Sequence, residues 1–166
     1  MQLVNYLNLT VTHPQSTLHL LAAKRVLRYL KGTSKLGITY SPPATRLVGY
    51  SDADWAGDIN TRQSTTGYVV MLNHGAIAWR SRRQVTVALS TMEAEYMAIT
   101  EAAKELKWMC QFLAELDYDD HKSAMILKLD NQGVIALAKN PVSHLRAKYI
   151  DLYHHFIRDA IEDKII

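Results

Sequence analysis

From Met92 to Leu113 an apolar side chain returns every three or four positions, at Met92, Tyr96, Ile99, Ala103, Leu106, Cys110 and Leu113. That is the spacing of one helix face, and a stripe this long must be buried against something. Ser90-Thr91-Met92-Glu93 supplies the start as a capping box, in which Ser90 is the N-cap and Glu93 reaches back to its amide. The predicted helix runs from Ser90 to about Leu116.

The segments around it read differently. Leu47-Val48-Gly49-Tyr50-Ser51 is a short buried strand running into Asp52, and Thr65 to Leu72 and Ala76 to Arg80 are two more. Asn73-His74-Gly75 gives the last two a hairpin turn. Beyond the long helix, Ile126 to Leu129 is a fourth strand, Val134 to Lys139 a short helix stopped by Asn140-Pro141, and Ile150 to about Ile161 another helix. The order β-β-β-α-β-α-α implies an α/β fold with helices packed on a mixed sheet. Upstream, Leu20, Ala23, Leu27 and Leu30 keep helical spacing while Lys24, Arg25, Arg28 and Lys31 take other positions, so residues 16–31 read as a basic amphipathic helix. The paired prolines of SPPAT at 41–45 cannot continue a helix and mark a linker. The expected division is therefore 1–45 and 46–166, the first part too short to bury a core alone.

Composition matters mainly for what it excludes. With 48% apolar and 21% charged residues in 166, this is ordinary globular material, and no run approaches the roughly 20 apolar residues of a membrane span. The N-terminus lacks the pattern of a signal peptide, so the chain is expected to be soluble, unsecreted and free of membrane. A single cysteine, Cys110, excludes an internal disulfide and every multi-cysteine metal site. No H-E-x-x-H, G-x-S-x-G, GxGxxG or P-loop pattern is present, and His154 and His155 project about 100° apart on a helix, poorly placed for one metal. The net charge is only +3, but Arg80, Arg82 and Arg83 crowd together beside Trp79.

Three acids fall where elements end. Asp52 closes the first strand, Asp130 the fourth, and Glu95 sits in the first turns of the long helix. Neighbouring strand ends in an α/β sheet open on one crevice, and acids held close repel unless one is protonated or a cation joins them. Oxygen-only ligands favour magnesium or manganese. On a helical wheel started at Met92 the apolar stripe centres at about 340°, Glu95 lies at about 300° and Glu93 at about 100°. Glu95 therefore faces the core and needs a partner. Each acid has a plainer alternative: Asp130 as an N-cap, Asp52 as a turn opener, Glu95 paired with a buried arginine.

YSDADWAGD at 50–58, RQSTTGYVVML at 62–72, IAWRSRRQ at 77–84, ALSTMEAEYMAI at 88–99 and LDNQGVIALAKNP at 129–141 resemble the ribonuclease H domain of copia-type retrotransposons. HPQSTLHLLAAKRVLRYLKGT at 13–33 resembles the end of the preceding reverse transcriptase region. The resemblance implies a ribonuclease H-like sheet, its first three strands antiparallel and the fourth parallel to the first. It implies catalytic and metal-binding roles for Asp52, Glu95 and Asp130, with two Mg2+ or Mn2+ ions in a complete site, and hydrolysis of the RNA strand of an RNA–DNA hybrid. Arg80, Arg82 and Arg83 are then candidates for holding nucleic acid. The reverse transcriptase part of the same polyprotein is the implied partner, and an intracellular, cytoplasmic particle the implied setting. Members of the family continue with a further strand and a helix carrying a fourth acid, so the chain is expected to be incomplete at its end and its fourth strand an exposed edge. Asp151 is a possible substitute for that acid, although its surroundings resemble the helix before the missing strand. The competing reading is a catalytically silent nucleic-acid-binding or connection-like module of the same fold. A third is a segment that only packs against a polymerase.

Overall fold

The computed structural model describes residues 17–42, 46–118, 125–139 and 151–162. The chain divides into two compact units, Met1–Thr39 and Tyr40–Ile166; the expected linker at 41–45 falls partly on residues 43–45, outside the described residues. In the first unit α1 spans Thr17–Gly32. It ends at Thr33, whose amide and hydroxyl both donate to the Tyr29 carbonyl, at 2.9 and 2.8 Å. Leu20, Leu27 and Leu30 of the predicted stripe are exposed, whereas Ala22 is buried.

The second unit contains β1 (Val48–Asp54), β2 (Thr65–Leu72), β3 (Gly75–Arg83), α2 (Thr91–Glu115), β4 (Ile126–Lys128), α3 (Gln132–Lys139) and α4 (Asp151–Glu162). Its sheet has the order β3-β2-β1-β4. β1 to β3 are antiparallel neighbours and β4 runs parallel to β1. The β2–β3 turn is tight because Asn73 and His74 both adopt left-handed backbone, at φ 50° and 66°, as a two-residue hairpin turn requires.

Two strands run well past the ends read from the sequence, and the fourth stops one residue short of Leu129. β1 runs two residues past Asp52, since Ala53 and Asp54 still pair with Thr66 and Thr65. β3 extends to Arg83 because Arg82 and Arg83 pair with the same two threonines. Pairing to a neighbour, which apolar patterning does not report, sets both lengths. β4 is only three residues long and lies at the edge of the sheet among the described residues. An apolar cavity of about 480 Å³, lined by Ile99, Leu127, Leu129, Ile135, Ile157 and Ile161, adjoins it.

α2 is the spine of the unit. Tyr96, Ile99, Ala103 and Leu106 of its stripe are buried, with Leu106 packed among Leu47, Tyr68, Val70 and Met125, and Tyr96 and Ile99 among Val134 and Ile157. Met92 is 37% exposed, at the first turn. Every residue from Ala94 to Thr100 is buried, so the helix start is enclosed on more than one side. Close approach to the sheet depends on Gly49, where an added Cβ would lie 2.7 Å from Leu106 Cδ1 and 3.0 Å from Leu127 Cδ1. Ser90 caps the helix, its Oγ accepting from the Glu93 amide at 3.1 Å. The Glu93 carboxylate reaches back one residue further than a standard capping box, accepting from the Leu89 amide at 2.7 Å.

Candidate metal centre

Asp52 lies within β1, opposite Gly67 of β2. Asp130 stands two residues beyond the end of β4, and the parallel pairing of β1 with β4 brings both to one end of the sheet. Glu95 comes from the buried start of α2. One carboxylate oxygen from each of the three lies within 4.8 Å of the others. Asp52 and Asp130 are exposed and Glu95 is 8% exposed, so the cluster is walled on the helix side and open on the other.

The electrostatics explain what such a cluster requires. Burial, then the charges of Asp52 and Asp130, push Glu95 up to about 7 from an ordinary 4.5, against one favourable hydrogen bond from the Ala53 backbone. No cationic side chain is among these influences. A divalent cation would reverse the repulsion, and an all-carboxylate donor set at this spacing fits a hard ion held at about 2.0–2.6 Å. Asp52, Glu95 and Asp130 would be its ligands.

The plainer roles of Asp130 and Asp52 are filled by other residues, and that of Glu95 finds no arginine among the described residues. Asn131, not Asp130, caps α3: its Oδ1 accepts from the amides of Gly133 and Val134 at 3.0 and 3.3 Å. Asp58, not Asp52, organises the β1–β2 turn, accepting from the amides of Asn60 and Thr61 at 2.9 and 3.0 Å. The Thr61 amide is the main reason its carboxyl stays below the usual range, with Asn60 and Arg83 adding to it against partial desolvation. Glu95 has no arginine partner among the described residues. The side chains of Asp151 and His154 lie outside the described residues.

Arg80, Arg82 and Arg83 all fall on β3, separated from the acidic cluster by β2. Arg80 faces Glu101 of α2 at 3.9 Å and Arg83 holds Asp58 at 2.6 Å. Arg82 has no ion pair among the described residues and is exposed. A cavity of about 360 Å³ bordered by Arg80, Arg82, Gln84, Thr86, Glu101 and Tyr153 opens beside them. Gln84 entered the sequence reading only as the last residue of IAWRSRRQ, with no role assigned to it. It follows two arginines at a strand end, yet it is 6% exposed and donates to Thr66 and to the Ala94 carbonyl.

No protein-family model matches the chain. It is 44% identical over 146 residues, 88% of its length, to the retrovirus-related Pol polyprotein from transposon TNT 1-94 of Nicotiana tabacum, and 42% identical over 151 residues, 90% of its length, to that from transposon RE1 of Arabidopsis thaliana. The chain spans only about a tenth of these relatives, 11% and 10%. Among solved structures it is similar to the LC11 ribonuclease H1 in complex with an RNA/DNA hybrid, with a TM-score of 0.53 at 12% identity, covering 72% of this chain and 79% of that one. Sequence and fold converge: the chain is homologous to a segment of the retrovirus-related Pol polyproteins of transposons, and it has a ribonuclease H-like fold.

Proposed function

We propose that this chain is the ribonuclease H portion of a copia-type retrotransposon Pol polyprotein, a divalent-metal-dependent endonuclease that hydrolyses the RNA strand of an RNA–DNA hybrid. The observation that carries the proposal is the convergence of Asp52, Glu95 and Asp130 within 4.8 Å, in a fold shared with a ribonuclease H1 solved on such a hybrid.

Magnesium or manganese ions bound there would supply activation of the attacking water and stabilisation of the departing 3′-oxygen. The chain's own residues provide the setting. Glu95 must be ionised to act as a ligand, and the Ala53 amide steadies its carboxylate in that form. Asp52 and Asp130, on the open side, would hold the ions where a scissile phosphate can approach them. Arg82, the arginine of its group without an ion pair, is the foremost candidate for holding a backbone phosphate of the partner strand, with Arg80 and Arg83 more constrained. In this reading residues 1–45 are the end of the reverse transcriptase region, and the same polyprotein is the working partner.

A labelled RNA–DNA hybrid incubated with the chain and magnesium tests the proposal. Cutting confined to the RNA strand is expected, abolished by Asp52→Asn with the melting temperature unchanged or higher, since Asn keeps the shape and removes one charge from a repelling group. Binding of the hybrid without cutting would favour the silent module. Equal cutting by parent and variant rejects the assignment of Asp52.

A further inference from the structure

Gln84 stands one residue beyond β3 with all its hydrogen-bond donors engaged. Its backbone amide donates to the Ser64 carbonyl at 2.8 Å. Its side-chain amide donates to Thr66 Oγ1 at 3.0 Å and to the Ala94 carbonyl at 2.9 Å. These two acceptors belong to the two elements that must meet for the acidic cluster to exist. Thr66 is the register partner of Ala53, which follows Asp52 and donates its backbone amide to Glu95. Ala94 immediately precedes Glu95 at the start of α2.

A closed circuit results: Glu95 to Ala53, across the strand pair to Thr66, through the Gln84 amide to Ala94, and back along the helix to Glu95. Two side chains carry it between sheet and helix, the Glu95 carboxylate itself and the Gln84 amide. As a space-filler Gln84 is a poor choice, since its Oε1 is buried without a hydrogen-bond partner and an unpaired buried acceptor is unfavourable. Methionine would fill the same volume without that defect. The gain from an amide at this position lies in the two bonds its nitrogen makes.

We infer that Gln84 is a positioning residue of the metal centre, holding the first turns of α2 against the β1–β2 pair so that Glu95 remains with Asp52 and Asp130. The inference rests on the metal-centre reading above and adds to it a residue that touches neither ion nor substrate. Repelling carboxylates such as these depend on outer partners for orientation, and loss of an outer partner typically weakens metal binding by roughly 10–100-fold.

The test uses the full chain, with manganese affinity from calorimetry and melting temperature measured on the same samples. Gln84→Met should weaken manganese binding by about tenfold or more. Thr66→Val, which removes one of the two acceptors, should weaken it by roughly threefold, and Thr66→Ser, which keeps the hydroxyl, should restore the parent value. Val70→Ala is the control, because Val70 is fully buried in β2 among Leu47, Tyr68 and Leu106; it should lower the melting temperature while leaving manganese affinity unchanged. Parent-like affinity in Gln84→Met overturns the inference, and if that variant does not fold, parent-like affinity in Thr66→Val does so. An affinity that falls with melting temperature alike in Val70→Ala also overturns it, as general destabilisation would then suffice. A parent chain that binds no manganese overturns the metal centre itself, a distinct failure that removes the role of Gln84 with it.

Discussion

Glu95 shows most directly how single residues set the properties of the site. Its carboxyl titrates at about 7 in the folded chain against 4.5 ordinarily, because burial and two neighbouring acids oppose its charge. Below pH 4.5 both folded and unfolded chains hold the proton and no difference arises. Between 4.5 and about 7 the folded chain holds more protons than the unfolded one, so stability falls as pH rises and levels off above 7. At about 1.4 kcal/mol per unit, the loss is about 3 kcal/mol. Urea unfolding without divalent ions should show this decline between pH 5 and 8, Glu95→Gln should flatten it, and magnesium at pH 8 should stabilise the parent but much less the variant. A parent profile that is flat over this range would show that Glu95 is not desolvated by the fold. The sequence sufficed to separate Glu95 from Glu93 because both lie on one helix whose phase is set by its apolar stripe. It could not reveal Gln84, whose key acceptor is a backbone carbonyl ten residues along the chain and leaves no trace in residue type.

At the scale of elements, the contact between α2 and β1 is decisive, and Gly49 permits it. A methyl group there would press on Leu106 and Leu127, so Gly49→Ala should cost about 1–3 kcal/mol, the usual range for overpacking. Ser90→Ala should cost about 1 kcal/mol by freeing the Glu93 amide that Ser90 satisfies. Thermal unfolding of both variants provides the check, and an unchanged melting temperature for Gly49→Ala would mean that Leu106 can move aside freely. The elements themselves were largely legible: α2 begins and ends where its cap and stripe place it, and the Asn73-His74 turn follows from residue chemistry. Strand limits were less so. The third strand was read only as far as Arg80, but Arg82 and Arg83 continue it because Thr66 and Thr65 offer them backbone partners. The three acids were legible as a cluster only because strand ends and helix phase both pointed to one place; that Asn131 and Asp58 relieve two of them of capping work emerged from the fold.

Taken whole, the molecule combines a modest excess of positive charge with an acidic cluster drawn from β1, α2 and the residues after β4, and with arginines on β3, two strands from β1. Hybrid binding should therefore weaken with salt, and Arg82→Ala should reduce the slope of log affinity against log salt by about one. Arg83→Ala should change it less, because Arg83 is already spent on Asp58. Filter-binding with the Asp52→Asn chain as background measures both, and equal slopes for the two variants would remove the distinction between them. The parallel pairing of β1 with β4 also dictates an order in time. β2 and β3 join through a two-residue turn, whereas Tyr50 and Lys128 are 78 residues apart. Local hairpins form early, and pairings between distant segments wait for much of the chain to be ordered. Asp130 should thus arrive last, after Asp52 and Glu95 have met. In stopped-flow refolding, competence to bind manganese should rise with the slowest phase, later than most of the circular-dichroism signal, because the antiparallel strands form before β4 brings Asp130 to them.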